Sequence, residues 1–155
     1  MRVRILQQPF NAQGNAETLG HELDQQLRSG QFREGFLCSA FVMSSGTSRL
    51  RPALRAFVQQ GAAVRVIVGL NNGLTSVQAV QDLLATGARV EGFHTGGSVL
   101  FHPKSYFLVG REIAWLSIGS SNLTGEGLYR NFETNAVVNF DLTRSLTVWS
   151  SSSYS

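Results

Sequence analysis

Lysine is almost missing from this chain: of its 13 lysine and arginine residues, Lys104 is the one lysine. Cysteine is as scarce. Cys38 stands alone, which excludes an internal disulfide, and its apolar surroundings predict a buried structural thiol. Proline occurs three times, so little interrupts regular structure. No apolar run approaches the ~18 residues of a membrane span. Met1-Arg2-Val3-Arg4-Ile5-Leu6 turns polar at Gln7-Gln8-Pro9, so no export signal is expected and the cytoplasm is the default compartment. Charged residues make up 15%, and the arginines are scattered without a dense basic run; the net charge of +3 is a weak sign of nucleic acid by itself.

Against these absences stands enough apolar material for a core: 43% of 155 residues. Residues 1–149 read as one domain. The first two thirds alternate between strand and helix patterns. A short strand opens the chain, followed by a polar Gln/Asn/Gly loop. Glu17–Arg28 is predicted helical, with Leu19, Leu23 and Leu27 on one face. Phe36–Met43 is predicted as a buried strand ended by Ser44-Ser45-Gly46, and Ser48 as the cap of a helix running to Gln60. A strand over Val64–Val68, a helix capped by Thr75 and running through Leu84, and a strand over Arg89–Phe93 follow. That alternation predicts an α/β fold with a mixed, largely parallel sheet flanked by helices on both faces. The last third differs: Phe101–Val109 and Ile113–Ser117 form a hairpin around Gly110-Arg111-Glu112, and Asn131–Phe140 alternates as another strand. Asp141 is expected to cap a final helix, which Trp149 marks as cut short. Residues 150–155 read as a frayed serine-rich tail, as in one domain of a longer protein.

The chemistry is concentrated between Phe101 and Val138. His102 and Lys104 are two apart on a strand and so share a face. A neutral histidine can attack phosphorus, and an ammonium can hold the non-bridging oxygens. Asn122 and Ser120 can donate to the same oxygens, as can backbone N–H groups after Gly119 if a helix starts there. Glu133 can accept from the far ring nitrogen of His102 and fix its tautomer. Other features are weaker. Gly69–Gly73 lacks the Gly-Lys-Ser/Thr of a phosphate loop. His21 is expected on a solvated helix face, and His94-Thr95-Gly96-Gly97-Ser98 as a flexible connection. Arg49, Arg51 and Arg55 read as an ordinary wet face.

His102-x-Lys104, then Gly119-Ser120-Ser121-Asn122-Leu123-Thr124, then Asn131-Phe132-Glu133 resembles the phospholipase D superfamily, in particular its single-motif bacterial nucleases and metal-independent restriction endonuclease domains. The resemblance spans roughly residues 30–140. It implies an α-β-α sandwich with His102, Lys104, Asn122 and Glu133 as catalytic residues, and Lys104, Ser120 and Asn122 on the substrate phosphate. It implies no cofactor and no metal, because histidine and lysine do the electrostatic work. The family's motif has an aspartate where this chain has Val109, a mainly supportive position. The implied mechanism needs two histidines, one to attack and one to protonate the leaving oxygen, and this chain carries one motif. A homodimer that brings two His102 side chains together is therefore expected. The favoured function is a metal-independent DNA endonuclease of restriction type, acting through a phosphohistidine, with DNA as partner and no membrane. The alternatives are a phosphatidyl hydrolase or transferase, and a non-catalytic dimerising DNA-binding module of a helicase or restriction system.

Overall fold

The computed structural model describes residues 1–9, 17–96 and 98–143, apart from the Asn72 side chain. In chain order its elements are β1 (Arg2–Gln8), α1 (Leu19–Arg28), β2 (Phe32–Ser39), α2 (Ser44–Gln59), β3 (Ala63–Gly69), α3 (Val77–Leu84), β4 (Arg89–Phe93), β5 (Lys104–Gly110), β6 (Ile113–Gly119), α4 (Gly125–Tyr129) and β7 (Glu133–Asp141). The strands form one seven-stranded sheet in the order β1-β7-β6-β5-β2-β3-β4.

The sheet is mixed, as expected, but mostly antiparallel. Only β2-β3 and β3-β4 pair in parallel; β5-β6, β6-β7, β2-β5 and β1-β7 are antiparallel. The strand–helix alternation of the first half supplies the parallel pairs. The hairpin after β5 and the return of β1 to the far edge supply the rest, and strand order at that edge is not written in local pattern.

The helices also depart from expectation. Among the described residues they lie against one face of the sheet. Leu19, Leu23 and Leu27 of α1, Leu50, Leu54 and Phe57 of α2, and Leu83 of α3 pack on Leu37, Val64, Val66, Val68, Tyr106, Leu108 and Trp115. Each fully buried leucine of this kind contributes roughly 1.5–3 kcal/mol. The opposite face presents Phe36, Ile67, Phe107, Leu116, Ile118 and Phe140 around an open groove of ≈ 370 Å³. Cys38 lines that groove and is half-buried there, not in the core; loss of solvent pushes its thiol pKa up.

Three local expectations move. β2 runs four residues earlier than predicted. Ser44-Ser45-Gly46 does not end a strand but opens α2, whose N-cap is Met43 rather than Ser48. The reason is tertiary. Gly46 lets α2 approach α4, where a Cβ would sit 2.7 Å from Thr124 Cα, and Ser45 Oγ accepts the Gly125 N–H at 3.0 Å. Ser76 caps α3 in place of Thr75, whose hydroxyl instead donates to the Gly69 carbonyl at 2.6 Å. Asp141 Oδ1 accepts the Thr143 N–H at 3.0 Å. The helix expected after it, Trp149 and the serine-rich tail lie outside the described residues, as does the polar loop expected after β1.

Candidate active site

One end of the sheet collects the sequence-predicted residues. β5 begins there with Lys104, β6 ends there at Gly119, and β7 begins there with Glu133. Gly119 permits the β6–β7 approach, since a Cβ would collide with the Thr134 carbonyl.

Lys104 faces the helix-covered side and is buried, while His102 precedes the strand and is exposed. The ammonium folds back on the histidine: Nζ lies 2.9 Å from Nδ1 and 3.2 Å from Nε2, and donates to the His102 carbonyl at 2.9 Å. The Phe41 ring meets the imidazole edge-on, at 5.9 Å between centroids and 78° between planes. Among the described residues no ion pair joins Lys104 to a carboxylate. Burial pulls its pKa below the ordinary lysine value, and the charge of Glu133 pulls the other way. A partly desolvated ammonium whose hydrogen-bond neighbours are a carbonyl and a ring is favoured by added negative charge, which an anion supplies.

Asn122 follows β6. Its Oδ1 accepts the Phe41 N–H at 3.2 Å, so the end left for a substrate is the donor Nδ2, the polarity a phosphoryl oxygen requires. Ser39, at the end of β2, holds this arrangement. Its hydroxyl donates to the Phe41 carbonyl at 2.6 Å and accepts the Leu123 N–H at 2.9 Å. Sequence reading missed Ser39. Its signal was weak, a buried hydroxyl at a strand end whose partner Leu123 is 84 residues away in sequence. Tyr106 adds a second brace, donating to the Ser121 carbonyl at 2.9 Å; its phenol is fully buried and its pKa is pushed up strongly by desolvation.

Glu133 differs from its expected role. Its carboxylate accepts from Ser120 Oγ and from Asn131 Nδ2, the latter at 3.2 Å, and no hydrogen bond joins it to His102 among the described residues. The backbone donors expected after Gly119 are also engaged internally. Ser120 N–H bonds the Thr134 carbonyl at 3.1 Å, and Thr124 N–H the Asn122 carbonyl at 2.8 Å; the helix starts later, at Gly125. Ser120 thus offers a hydroxyl turned to Glu133 rather than a helix terminus.

The remaining histidines stand apart. His21 is half-buried rather than solvated, with Nδ1 2.7 Å from Thr18 Oγ1 and its ring against Tyr129. His94 is exposed after β4. Arg51 pairs with Asp82, and Arg49 lies over the Tyr129 ring at 4.7 Å. Val109 occupies the outward face of β5, five residues from Lys104 or about 17 Å along the strand. The departure from the motif therefore falls outside the site. No group of three or more His, Cys, Asp or Glu side chains is placed to hold a metal among the described residues.

Comparisons with known proteins bear on the fold and the family. Residues 23–147 match a family described as "Cardiolipin synthase, PLD-like domain". Among solved structures, the chain is similar to Nuc, a phospholipase D family member from Salmonella typhimurium, with 15% identity over 92% of this chain and 85% of that one at a TM-score of 0.66. NucT from Helicobacter pylori gives 15% identity over 92% and 87% at 0.61. Yeast tyrosyl-DNA phosphodiesterase gives 10% identity over 90% of this chain and 33% of that one at 0.57. No curated protein matches the sequence. At these identities the structures speak for the fold, and the family match spans most of the chain: it belongs to the phospholipase D-like domain family.

Proposed function

We propose that this chain is a metal-independent phosphodiesterase that cleaves DNA through a phosphohistidine. The observation that carries the reading is Lys104: a buried lysine with no ion pair to a carboxylate among the described residues, held against an exposed histidine at the end of the sheet that also carries Asn122. The ammonium and the amide are donors of the polarity that the non-bridging oxygens of a phosphodiester accept. Neutral His102 attacks phosphorus with a ring nitrogen, forming the P–N bond as the P–O bond to the leaving group breaks. Lys104 and Asn122 stabilise the charge that gathers on the non-bridging oxygens.

The leaving oxygen needs a proton. His21 is held by Thr18, and His94 lies beyond β4, so the acid that fits is His102 of a second copy across a two-fold axis. That histidine gives its proton to the leaving oxygen, then takes one from water. The hydroxide attacks phosphorus, the P–N bond breaks, and His102 is released neutral. Ser120 and Asn131 hold Glu133 beside this centre, where its charge supports Lys104 in the protonated form. The similar fold of tyrosyl-DNA phosphodiesterase, by its name, serves a phosphodiester of DNA.

Plasmid and oligonucleotide cleavage in EDTA tests the reading. Cleavage that persists in EDTA and vanishes in His102→Ala is expected, as is phosphate trapped on His102 after acid-free quenching. Cleavage that appears only with added Mg²⁺ defeats it. Sedimentation at low concentration tests the shared site; a monomer that still cuts removes the second histidine.

A further inference from the structure

The segment that carries Asn122 rests on a buried residue of β7. Asn135 lies two residues beyond Glu133 on that strand and is 1% exposed. Its Nδ2 donates to Ser121 Oγ at 2.8 Å, and Ser121, fully buried, directly precedes Asn122. The Ser121 carbonyl accepts from the Tyr106 hydroxyl of β5 at 2.9 Å. Ser121 is therefore held at two points, from two strands. Gly119 stands opposite Asn135 in the β6–β7 register and leaves room for the amide, since a Cβ at 119 would collide with Asn135 Oδ1.

The core does not call for an amide at this position. The partner of Asn135 on β1 is Leu6, and the next residue in its own buried row is Val137; both are apolar. Asn135 Oδ1 accepts no hydrogen bond among the described residues. A buried amide that uses one of its two ends favours folding less than an apolar side chain of the same shape, so folding alone does not account for it. What the amide does is hold Ser121. The residue before it is bound to the same strand: Ser120 Oγ accepts the Thr134 N–H at 3.0 Å, and the Ser120 N–H donates to the Thr134 carbonyl at 3.1 Å. Asn135 extends this seam by one residue, to the last position before Asn122 turns its Oδ1 to the Phe41 N–H.

From this placement we infer that Asn135 is a positioning residue: through Ser121 it sets the Asn122 amide that faces a phosphoryl oxygen. The inference rests on the phosphodiesterase reading for its effect on turnover, while its effect on the Asn122 side chain is measured without catalysis.

A double-mutant cycle tests it. Asn135→Leu keeps the approximate shape and removes the donor, and Ser121→Ala removes the acceptor from the other side. Turnover of bis(p-nitrophenyl) phosphate in EDTA is read for each, with Asn122 present and on an Asn122→Ala background. Each variant is expected to lower kcat by roughly tenfold when Asn122 is present. On the Asn122→Ala background the loss should be less than about twofold, because both act through that residue. The combined Ser121→Ala/Asn135→Leu variant should lose no more than either change alone. Equal losses with and without Asn122 overturn the inference and leave Asn135 a residue of the core; so does full turnover in both single variants. The second readout is the Asn122 side-chain amide in proton–nitrogen correlation spectra, assigned by its absence in Asn122→Ala. It should move toward the position of an unstructured asparagine in Asn135→Leu and in Ser121→Ala, and the dissociation constant for inorganic phosphate should rise at least about fivefold. An Asn122 resonance that stays in place in both variants overturns the inference even where no turnover is seen. If the resonance moves as expected and wild type cuts no diester at all, the proposed activity fails and the positioning stands. Thermal unfolding by circular dichroism checks the fold, and Ser121→Ala, which removes a single oxygen, decides the matter should Asn135→Leu unfold.

Discussion

The two walls of the site are built by different physics. The β6–β7 wall is held by hydrogen bonds: Asn122 Oδ1 on the Phe41 amide, Ser120 Oγ on Glu133, Asn131 Nδ2 on Glu133. The β3–β4 wall is held by ring and side-chain packing, Phe93 on Phe101 and Leu70 over Gly92, and leaves apolar surface in solvent. The first wall presents polar groups at fixed settings. The second presents apolar surface. Because the walls stand on different strands, one can be altered while the other is kept, and each prediction below separates them.

The largest effect is expected at the boundary between the walls. His102→Ala removes the nitrogen proposed to attack phosphorus, while its exposed position spares the core. Single-turnover cleavage should fall by at least roughly 10⁴-fold, the scale on which loss of a nucleophile is usually felt. DNA binding should persist, because Lys104 and Asn122 are untouched. A variant that keeps more than a hundredth of the activity assigns the attack to another group.

Lys104→Ala comes next. Loss of a positioned charge donor costs about 10²–10³-fold in turnover. The pH dependence identifies the residue further. Burial holds the Lys104 pKa below its unfolded value, with Glu133 partly opposing. Between the folded and unfolded values the unfolded chain binds more protons, so this group's contribution to stability rises with pH across that window. Activity runs in the opposite sense: as pH climbs through the lowered folded pKa, the ammonium discharges and the phosphate loses its cation. The alkaline limb of kcat/KM should begin below the usual lysine range, and Lys104→Arg should carry it upward while weakening turnover at neutral pH through its different reach. A limb that stays in place in Lys104→Arg belongs instead to the paired histidines, whose titration is shared.

The sequence was most informative where chemistry and local pattern coincide. Lys104 at the head of a strand, Asn122 after a strand and Glu133 at the head of another lie at one end of the sheet because glycine-marked strand ends are local properties, whereas His102, expected on the strand, precedes it. α1, β3, α3 and β4 were legible for the same reason. What escaped depends on distant partners. The serines at 44 and 45 look like a turn until α4 arrives to use Ser45. The bias toward a parallel sheet came from the alternating half, and nothing local says that β5 enters between β2 and β6 running the other way. Glu133 was assigned to His102 by chemistry, but its near neighbours Ser120 and Asn131 claim it.

Ser39 tests how far the polar wall depends on such a distant partner. Ser39→Ala leaves the Leu123 N–H without its acceptor and the Phe41 carbonyl without its donor, a cost of about 1–3 kcal/mol for a buried group. Asn122 then loses its fixed setting, and turnover should fall by roughly tenfold, with less change in DNA binding. Ser39→Thr, which keeps the hydroxyl, should recover part of the turnover if the side chain acts by positioning. Equal losses in turnover and in DNA binding would mark Ser39 as a purely structural residue.

The smallest effect is expected where the sequence departs from its family. Val109→Asp restores the motif's carboxylate on paper. In this sheet position 109 faces the open side, away from Lys104, and pairs in register with Glu34 on β2 and Ala114 on β6. A new carboxylate there meets Glu34 directly across the strands. Like charges in that arrangement destabilise by about 0.2–1 kcal/mol, and the apolar contact of the valine is lost as well. The variant should melt lower than wild type, with kcat/KM within about twofold, and the melting difference should shrink in high salt as the repulsion is screened. A severalfold rise in activity would show that the far end of β5 reaches the phosphate wall through the strand. The site would then have to be counted as incomplete without its aspartate, rather than as closed by Lys104, Asn122 and a second His102.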